Sequence, residues 1–312
     1  SLPNVNFWLL TGDDYVESLK NVEFQAQLKK EFNELYNYYS SVKKIKDAVL
    51  PEFNFDSYYV LSNKLQPDFA SITSNEKYYA LVIGNNNYEH LEKLDAAEND
   101  AKVLANILEK NYDFEVNLLL NADYETTVNS LYKISRKLKK DDNFLIFYAG
   151  HGQLDKRQNR GYWLPVDAKA DLPAKWISNA LIADELKATE AKHVLLVVDS
   201  CFSGSLMRSG ENIGPGLSLD AKYIKSLQKK KTRLVITSGG NEPVMDSDGG
   251  VHSIFAKKLI DTLRENDNVI STQRIFENIR RYVASNAEQT PERAAIYKAG
   301  HDGGDFLFFA KN

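Results

Sequence analysis

The chain of 312 residues has a single cysteine, Cys201, and it lacks both long apolar runs and a strong charge imbalance. A chain with one cysteine cannot form an intrachain disulfide, which suits a reducing compartment, so we expect a cytoplasmic protein. No apolar run approaches the roughly 18 residues that a membrane helix needs, which argues against a membrane partner. The formal net charge of −4 argues against a general nucleic-acid binder.

The first 75 residues differ in pattern from the rest of the chain. Apolar residues recur near helical spacing over residues 23–50, and Pro51 ends this pattern. We therefore predict a helical N-terminal extension or linker over residues 1–75 and a second domain over residues 76–312. A helix with aromatic residues along one face usually docks on its own domain, and contact with a regulatory partner is the alternative.

From residue 78 onward, short apolar runs alternate with amphipathic segments, which predicts an α/β domain with a largely parallel sheet covered by helices on both faces. The predicted strands are residues 79–84, 116–120, 144–148, 194–198, 234–237 and 306–309. The predicted helices are residues 99–110, 126–138, 180–188, 253–264 and 273–284.

Two of the apolar runs end in motifs that carry reactive side chains, and His151 and Cys201 lie 50 residues apart. Residues 144–152 read Phe-Leu-Ile-Phe-Tyr-Ala-Gly-His-Gly, and residues 194–204 read Val-Leu-Leu-Val-Val-Asp-Ser-Cys-Phe-Ser-Gly. In an open parallel sheet, functional groups collect at the carboxyl ends of the strands. The layout predicts a cysteine nucleophile with a histidine base.

A thiol is a weak nucleophile near neutral pH until a neighbour lowers its pKa or takes its proton, and His151 is the candidate for that neighbour. The flanking glycines allow a sharp turn, and the backbone N–H groups of Gly152 and Cys201 are candidate donors to an oxyanion. Taken alone, the cysteine suits a buried inert thiol and the histidine a simple turn. Their joint occurrence at two strand ends favours the catalytic interpretation.

Both motifs resemble the histidine and cysteine motifs of the caspase-like cysteine peptidases, and they are most similar to those of metacaspases and bacterial orthocaspases. The resemblance extends from residue 78 to the end of the chain, and the first 75 residues have no counterpart in it. Further matching segments, in the same order as in the family, are residues 79–85, 98–101, 237–240, 250–255 and 289–291.

The resemblance implies a caspase-like α/β sandwich with a mostly parallel six-stranded sheet. It also implies a dyad of His151 and Cys201 that hydrolyses peptide bonds through an acyl-enzyme, with a protein or peptide as the substrate. No third acidic residue is required in this family. His252 falls in one of the matching segments, and we give it no catalytic role.

The resemblance further implies cleavage after Arg or Lys. In metacaspases an aspartate two positions before the cysteine lines the specificity pocket, which is Asp199 here, and a second pocket aspartate corresponds to Asp100. Paired carboxylates favour a basic side chain and reject an acidic one. Ala149 and Ser238 correspond to further positions at this pocket. Each aspartate also has a structural explanation, Asp100 as a helix N-terminal acid and Asp199 as a turn residue.

Two segments concern regulation. The acidic stretch of the calcium-dependent metacaspases is absent after His151, so we predict no metal and no cofactor. A flexible basic loop is expected over residues 205–233, where the enzyme could cut itself. The candidate positions for this self-cleavage are Arg208, Lys222, Lys225, Lys229, Lys230 and Lys231.

Two alternatives stay open at this point. The same fold could serve a peptidase with another preference, since Ala149 replaces a serine that is frequent in the family. The fold could also serve as a scaffold for protein interactions, although a scaffold would have no use for an intact pair of His151 and Cys201.

Overall fold

The computed structural model describes residues 76–200, 221–239 and 251–311, which alternate between strands and helices. The strands are β1 Tyr78–Gly84, β2 Phe114–Leu120, β3 Asn143–Ala149, β4 Gly152–Asp155, β5 Arg160–Trp163, β6 Ile177–Ser178, β7 His193–Asp199, β8 Thr232–Thr237, β9 Val269–Ser271, β10 Glu292–Ala295 and β11 Leu307–Phe309. The helices are α1 Ala97–Tyr112, α2 Tyr124–Lys137, α3 Asn179–Ala188, α4 Ala221–Lys229, α5 Ile254–Glu265 and α6 Thr272–Asn286, and Pro173–Lys175 forms one 3₁₀ turn.

Six strands form the central sheet in the order β10-β8-β7-β3-β1-β2. The five strands from β8 to β2 in this order run parallel, and β10 pairs antiparallel with β8 at one edge. β3 and β7 are buried along their whole length. Burial on both faces explains why their sequences are continuous apolar runs rather than alternating ones.

The apolar core consists of two layers, one on each face of the sheet. On one face, alternate strand residues pack against α1, α5 and α6. On the other face, the intervening residues pack against α2 and α3. Leu195 and Val197 belong to the first layer, and Asp199 follows them at the same two-residue spacing. The Asp199 side chain therefore lies on the face that α1 and α5 cover.

The carboxyl ends of β1, β3 and β7 lie side by side. Ala149 is opposite Gly84 on one side and opposite Asp199 on the other. The ladder continues one step further, because the Asn85 N–H donates to the Ala149 carbonyl at 3.0 Å and the Gly150 N–H donates to the Asp199 carbonyl at 3.3 Å. The segments that follow these three strands therefore begin at one place on the sheet edge.

The predicted α/β architecture is confirmed, with a change in one strand of the sheet. The strand predicted at residues 306–309 is β11, and it pairs with β9 in a separate two-stranded sheet. The sixth strand of the central sheet is β10 instead. Its sequence, Glu-Arg-Ala-Ala, contains no apolar run, so the pattern gave no signal for it.

Helix α4 was also missed, because its residues were included in the loop predicted over residues 205–233, of which residues 205–220 lie outside the described residues. Ala221–Lys229 is helical, and Ile224 and Leu227 pack against Leu307 of β11.

The helical extension predicted over residues 1–75 lies outside the described residues. Among the described helices, none combines the length and the apolar character needed to cross a bilayer.

Candidate active site

His151 lies two residues beyond the end of β3, and bonds at its ring and its backbone hold it there. Its Nε2 atom lies 2.8 Å from the backbone carbonyl oxygen of Glu92. Its backbone N–H donates to the hydroxyl oxygen of Tyr88 at 2.7 Å. Its carbonyl accepts from the Tyr148 hydroxyl at 2.7 Å and from the Leu164 N–H at 3.0 Å. The residue is nonetheless only partly buried, so it is both fixed and accessible.

The contact with Glu92 determines which ring nitrogen of a neutral His151 carries the proton. A carbonyl oxygen can only accept a hydrogen bond, so Nε2 is the donor and carries the hydrogen. Nδ1 then holds the free lone pair and is the nitrogen that can take a proton from another group. The backbone of Glu92 thus orients the ring without any carboxylate.

Cys201 lies outside the described residues, which end in this region at Ser200. The strand that leads to it, β7, ends at Asp199, directly opposite the end of the strand that leads to His151. Asp199 and Ser200 are both buried. The role predicted for Cys201, and for its N–H as an oxyanion donor, stays a prediction.

Asp100 and Asp199 come from distant parts of the chain and meet at Ser253. Asp100 belongs to the first turn of α1, and Asp199 is the last residue of β7. The Asp100 Oδ2 accepts from the Ser253 N–H at 3.2 Å, and the Asp199 Oδ2 accepts from the Ser253 hydroxyl at 2.5 Å. Only 1% and 6% of the two residues is exposed. Two buried carboxylates therefore share one serine at the N-terminal end of α5, where the helix dipole favours negative charge.

His252 is a second neighbour of Asp100. Its Nδ1 atom lies 2.5 Å from the Asp100 Oδ1 and 3.2 Å from the amide nitrogen of Asn99. His252 is partly exposed, whereas Asp100 is buried. The structure thus places His252 beside a predicted pocket carboxylate, and not beside His151.

Ala149 and Ser238, the other predicted pocket residues, lie at the same sheet edge. Ala149 is opposite Asp199, and its side chain is 2% exposed in the apolar layer that α1 covers. Ser238 directly follows β8 and is fully buried, and its N–H donates to the Val198 carbonyl at 3.0 Å. Their contact with a substrate stays a prediction.

Gly150 and Gly152 flank His151 and lie in different surroundings. A Cβ atom at Gly150 would lie only 2.6 Å from the Tyr88 hydroxyl and 3.0 Å from the Tyr148 hydroxyl, so no larger residue fits there. Gly152 begins β4 and is opposite Trp163 of β5. Its N–H, the predicted oxyanion donor, therefore sits at the start of a hairpin directly after His151.

The predicted self-cleavage positions fall in different environments. Arg208 lies outside the described residues. Lys222, Lys225 and Lys229 belong to α4, and Lys230 and Lys231 join α4 to β8. Because a peptidase binds its substrate in an extended form, the peptide bonds that follow the three helical lysines can be cut only when α4 unfolds.

Asp155, an acidic residue in the segment after His151, has a structural role in the hairpin of β4 and β5. The Asp155 Oδ1 accepts from the backbone N–H groups of Arg157 and Gln158 and thereby closes the turn between β4 and β5. Within the described ranges, no three His, Asp or Glu side chains come together as metal ligands. The independence from calcium stays a prediction.

Three residues at the site were missed or undervalued from the sequence. Glu92 contributes only its backbone carbonyl, which no sequence pattern reveals. Tyr88 lies in a polar loop that has no helical or strand periodicity. The only sign of its role in the sequence was an aromatic residue that follows three asparagines. Ser253 precedes an amphipathic helix, and its hydroxyl caps α5 by accepting from the Ala256 N–H at 2.9 Å. The cap was readable from the sequence, but its bond to Asp199 was not.

Solved structures that are similar to this chain include two of low sequence identity. Protein GSU0716 from Geobacter sulfurreducens is 21% identical with a TM-score of 0.51, and the match covers 70% of this chain and 93% of that one. Caspase-1 from Spodoptera frugiperda is 15% identical with a TM-score of 0.52, and the match covers 73% of this chain and 91% of that one. At such identities the likeness shows the fold alone. No curated protein matches the chain.

The fold is therefore that of the caspases, an α/β sandwich built on a mixed six-stranded sheet. The family model of the caspase domain matches residues 77–298. The chain therefore belongs to this family of cysteine peptidases. The resemblance noted in the sequence is confirmed at the level of the family.

Proposed function

We propose that the protein is a cysteine endopeptidase of the metacaspase type, in which Cys201 is the nucleophile and His151 its base, and that it cuts after Arg or Lys. The observation that carries the proposal is the orientation of His151. Its Nε2 is bound to the Glu92 carbonyl, so Nδ1 is the ring nitrogen that can take a proton. The strand that leads to His151 ends opposite the strand that leads to Cys201, which supports Cys201 as the source of that proton.

In the proposed reaction, His151 takes the proton of Cys201, and the thiolate attacks the carbonyl carbon of the scissile bond. A C–S bond forms, and the C–N bond breaks as the imidazolium gives its proton to the leaving amine. Water then attacks the thioester and gives a proton to His151, and the C–S bond breaks to release the new carboxyl group. The N–H groups of Gly152 and Cys201 are the proposed donors to the oxyanion.

The preference for Arg or Lys rests on Asp100 and Asp199. Both carboxylates are hydrogen-bonded to Ser253. Asp199 is the last residue of β7 and precedes Cys201 by two positions. A guanidinium can form paired hydrogen bonds with such carboxylates, whereas an acidic side chain would be repelled. We place Ala149 and Ser238 in the wall of the same pocket. The substrate is a protein or peptide.

Two regulatory features belong to the proposal. Activity is proposed to need no calcium and no cofactor, because the acidic stretch of the calcium-dependent metacaspases is absent after His151, and Asp155 in this region closes a hairpin turn. Self-cleavage is proposed at Arg208, Lys222, Lys225, Lys229, Lys230 or Lys231. Among the five lysines, we expect Lys230 and Lys231 to be cut before those of α4, because residues outside a folded helix reach a cleft more readily.

The test is cleavage of fluorogenic peptides that end in Arg, Lys, Asp, Leu or Gln, with the wild-type protein beside Cys201→Ala and His151→Ala, each with calcium and with EGTA. We expect cleavage after Arg and Lys that both substitutions abolish and that EGTA leaves unchanged. Cysteine-dependent cleavage after another residue would contradict the pocket but not the dyad. Equal cleavage by Cys201→Ala would contradict the mechanism.

A further inference from the structure

Tyr88 contacts both the backbone and the ring of His151. Its hydroxyl oxygen accepts the His151 N–H at 2.7 Å, and the two ring centroids lie 4.6 Å apart at an angle of 51°. Only 4% of Tyr88 is exposed, so its own position is fixed by packing. We infer that Tyr88 is a positioning residue that holds the imidazole of His151 in its working orientation, an inference that rests on the peptidase function proposed above.

The hydroxyl groups of Tyr88 and Tyr148 occupy the space next to Gly150, the residue before His151. A Cβ atom at Gly150 would lie 2.6 Å from the Tyr88 hydroxyl and 3.0 Å from the Tyr148 hydroxyl. The Tyr148 hydroxyl binds the His151 carbonyl at 2.7 Å, so one phenol holds the N–H of His151 and the other holds its C=O. Removing the Tyr88 oxygen takes away the acceptor of the His151 N–H, whereas the His151 carbonyl would keep the Leu164 N–H if the Tyr148 oxygen were removed.

The loop that carries Tyr88 is itself tied down at its base. The Asn121 Oδ1 accepts from the N–H groups of Asn86 and Asn87 at 2.9 and 2.8 Å. The Asn86 Oδ1 accepts from the Glu98 N–H at 2.9 Å, which joins the loop to the start of α1. The loop cannot swing away without breaking these bonds, so Tyr88 is anchored from both the core and the backbone.

Tyr88 and Glu92 reach His151 from the same loop and act on different atoms. Glu92 binds Nε2 of the ring, whereas Tyr88 binds the backbone N–H and packs against the ring. Together they restrict the main chain, the ring rotation and the tautomer. Since the reacting atoms must approach within about 3.5 Å, a shift of the ring by a fraction of this distance slows the proton transfer.

The test measures the reactivity of Cys201, the only cysteine of the chain, so that it does not depend on the identity of the substrate. The rate of alkylation by iodoacetamide is followed against pH by mass spectrometry in the wild type, Tyr88→Phe, Tyr112→Phe and His151→Ala. Tyr112→Phe is the matched control, because Tyr112 is equally buried and its hydroxyl donates to the Leu263 carbonyl at 2.6 Å, in contact with α5 rather than His151. Thermal unfolding of each variant accompanies the rates.

We expect Tyr88→Phe to lower the alkylation rate at neutral pH roughly 10-fold, towards the rate of His151→Ala, and to move the pH profile upward, because a displaced imidazole stabilises the thiolate less. On a cleaved peptide the same variant should lower kcat and leave KM within about two-fold. Tyr112→Phe should lose a similar amount of thermal stability and keep the wild-type rates. Asn121→Gly, which frees the loop while glycine tolerates the positive φ of 51° at this position, should act in the same direction as Tyr88→Phe.

Two results would overturn the inference, and they can be told apart. If His151→Ala slows alkylation but Tyr88→Phe and Asn121→Gly match Tyr112→Phe, then Tyr88 has only a structural role. If His151→Ala leaves the alkylation rate and its pH profile unchanged, then the dyad itself fails and the positioning of His151 has no catalytic meaning.

Discussion

At the residue scale, Arg233 is the side chain that sequence reasoning would least expect in its place. It is fully buried in β8, and its five guanidinium N–H groups all donate to backbone carbonyls rather than to carboxylates. Burial lowers the pKa of Arg233 to about 10. The acceptors lie at the end of α3, in the turn that follows and beside Arg233 itself: Leu186, Thr189, Ala191, Lys192 and Thr232. Arg233 thus caps α3 and fixes the turn that leads into β7.

We predict that Arg233→Met lowers the free energy of unfolding by at least about 3 kcal/mol, because several buried carbonyls lose their donor at once. Urea denaturation followed by circular dichroism measures the change. Arg264→Met is the control, since Arg264 is about half exposed and its bond is to a neighbouring side chain of α5. Equal losses in the two variants would contradict the capping role.

The paired carboxylates give a second prediction at this scale. Asp199→Asn should lower kcat/KM for an arginine peptide roughly 100-fold, because a buried carboxylate that faces a cation is lost. Asp100→Asn should act in the same direction, and neither variant should affect the alkylation of Cys201. Asp184→Asn on the exposed face of α3 is the control. A retained preference for arginine in the double variant would show that the pocket lies elsewhere.

At the scale of elements, the contact between β1 and α1 positions Asp100. A Cβ atom at Gly84 would lie 2.3 Å from the Ala97 carbonyl oxygen and 2.7 Å from the Ala101 Cβ, so glycine lets the helix pack directly on the strand. Asp100 lies one position before Ala101 in the first turn of this helix. The distance between α1 and the sheet therefore sets the distance between Asp100 and Asp199.

Gly84→Ala should consequently destabilise the fold by about 3 kcal/mol through overpacking, and it should weaken the preference for arginine by moving α1 outward. Gly300→Ala provides the comparison. Apart from its chain neighbours, no atom of the described residues lies within 4 Å of a Cβ at that position. Only the positive φ of +84° opposes the change, so a cost of about 1 kcal/mol is expected. Thermal unfolding measures both, and a smaller loss in Gly84→Ala than in Gly300→Ala would contradict the packing argument.

At the scale of the whole molecule, the stability of the fold depends on pH through His193. This histidine is 2% exposed, and it lies between the Thr232 hydroxyl at 2.9 Å and the Gln228 carbonyl at 3.2 Å. Burial lowers the pKa of His193 from 6.5 to about 4. The folded protein therefore binds this proton less readily than the unfolded chain does, and acid favours unfolding.

We predict that His193 accounts for a loss of about 3 kcal/mol in the free energy of unfolding as the pH falls from 6.5 to 4. Well above pH 6.5 its contribution is constant, because the ring is then neutral in both states. Urea denaturation at a series of pH values measures the slope, and His193→Gln should flatten it. An unchanged slope in this variant would mean that other groups carry the acid sensitivity.

The sequence was sufficient for the class of the fold, and its motifs also indicate the candidate dyad, which stays a prediction. Continuous apolar runs such as β3 and β7 are visible because both faces of these strands are buried. The motifs at their ends are visible because a histidine and a lone cysteine each follow such a run. Strand β10 was not predicted from the sequence. It lies at the edge of the sheet with a single neighbouring strand, and such a strand needs few apolar residues.

The supporting contacts of the site could not be predicted in the same way. Glu92 acts through its backbone, and its bond to His151 joins residues 59 positions apart. The meeting of Asp100 and Asp199 at Ser253 depends on how α1 and α5 pack on the sheet, with separations of 153 and 54 residues. Local patterns describe burial and turns, whereas such contacts arise only from the packing of whole elements.

The most direct test of the central claim is intact-mass spectrometry of the protein after reaction with a peptidyl chloromethyl ketone that ends in arginine, beside the same reagent that ends in aspartate. We predict one adduct on Cys201 with the arginine reagent, slow reaction with the aspartate reagent, and loss of the fast reaction in His151→Ala. Equal reaction of both reagents would contradict the acidic pocket. An adduct that forms as fast in His151→Ala as in the wild type would contradict the dyad.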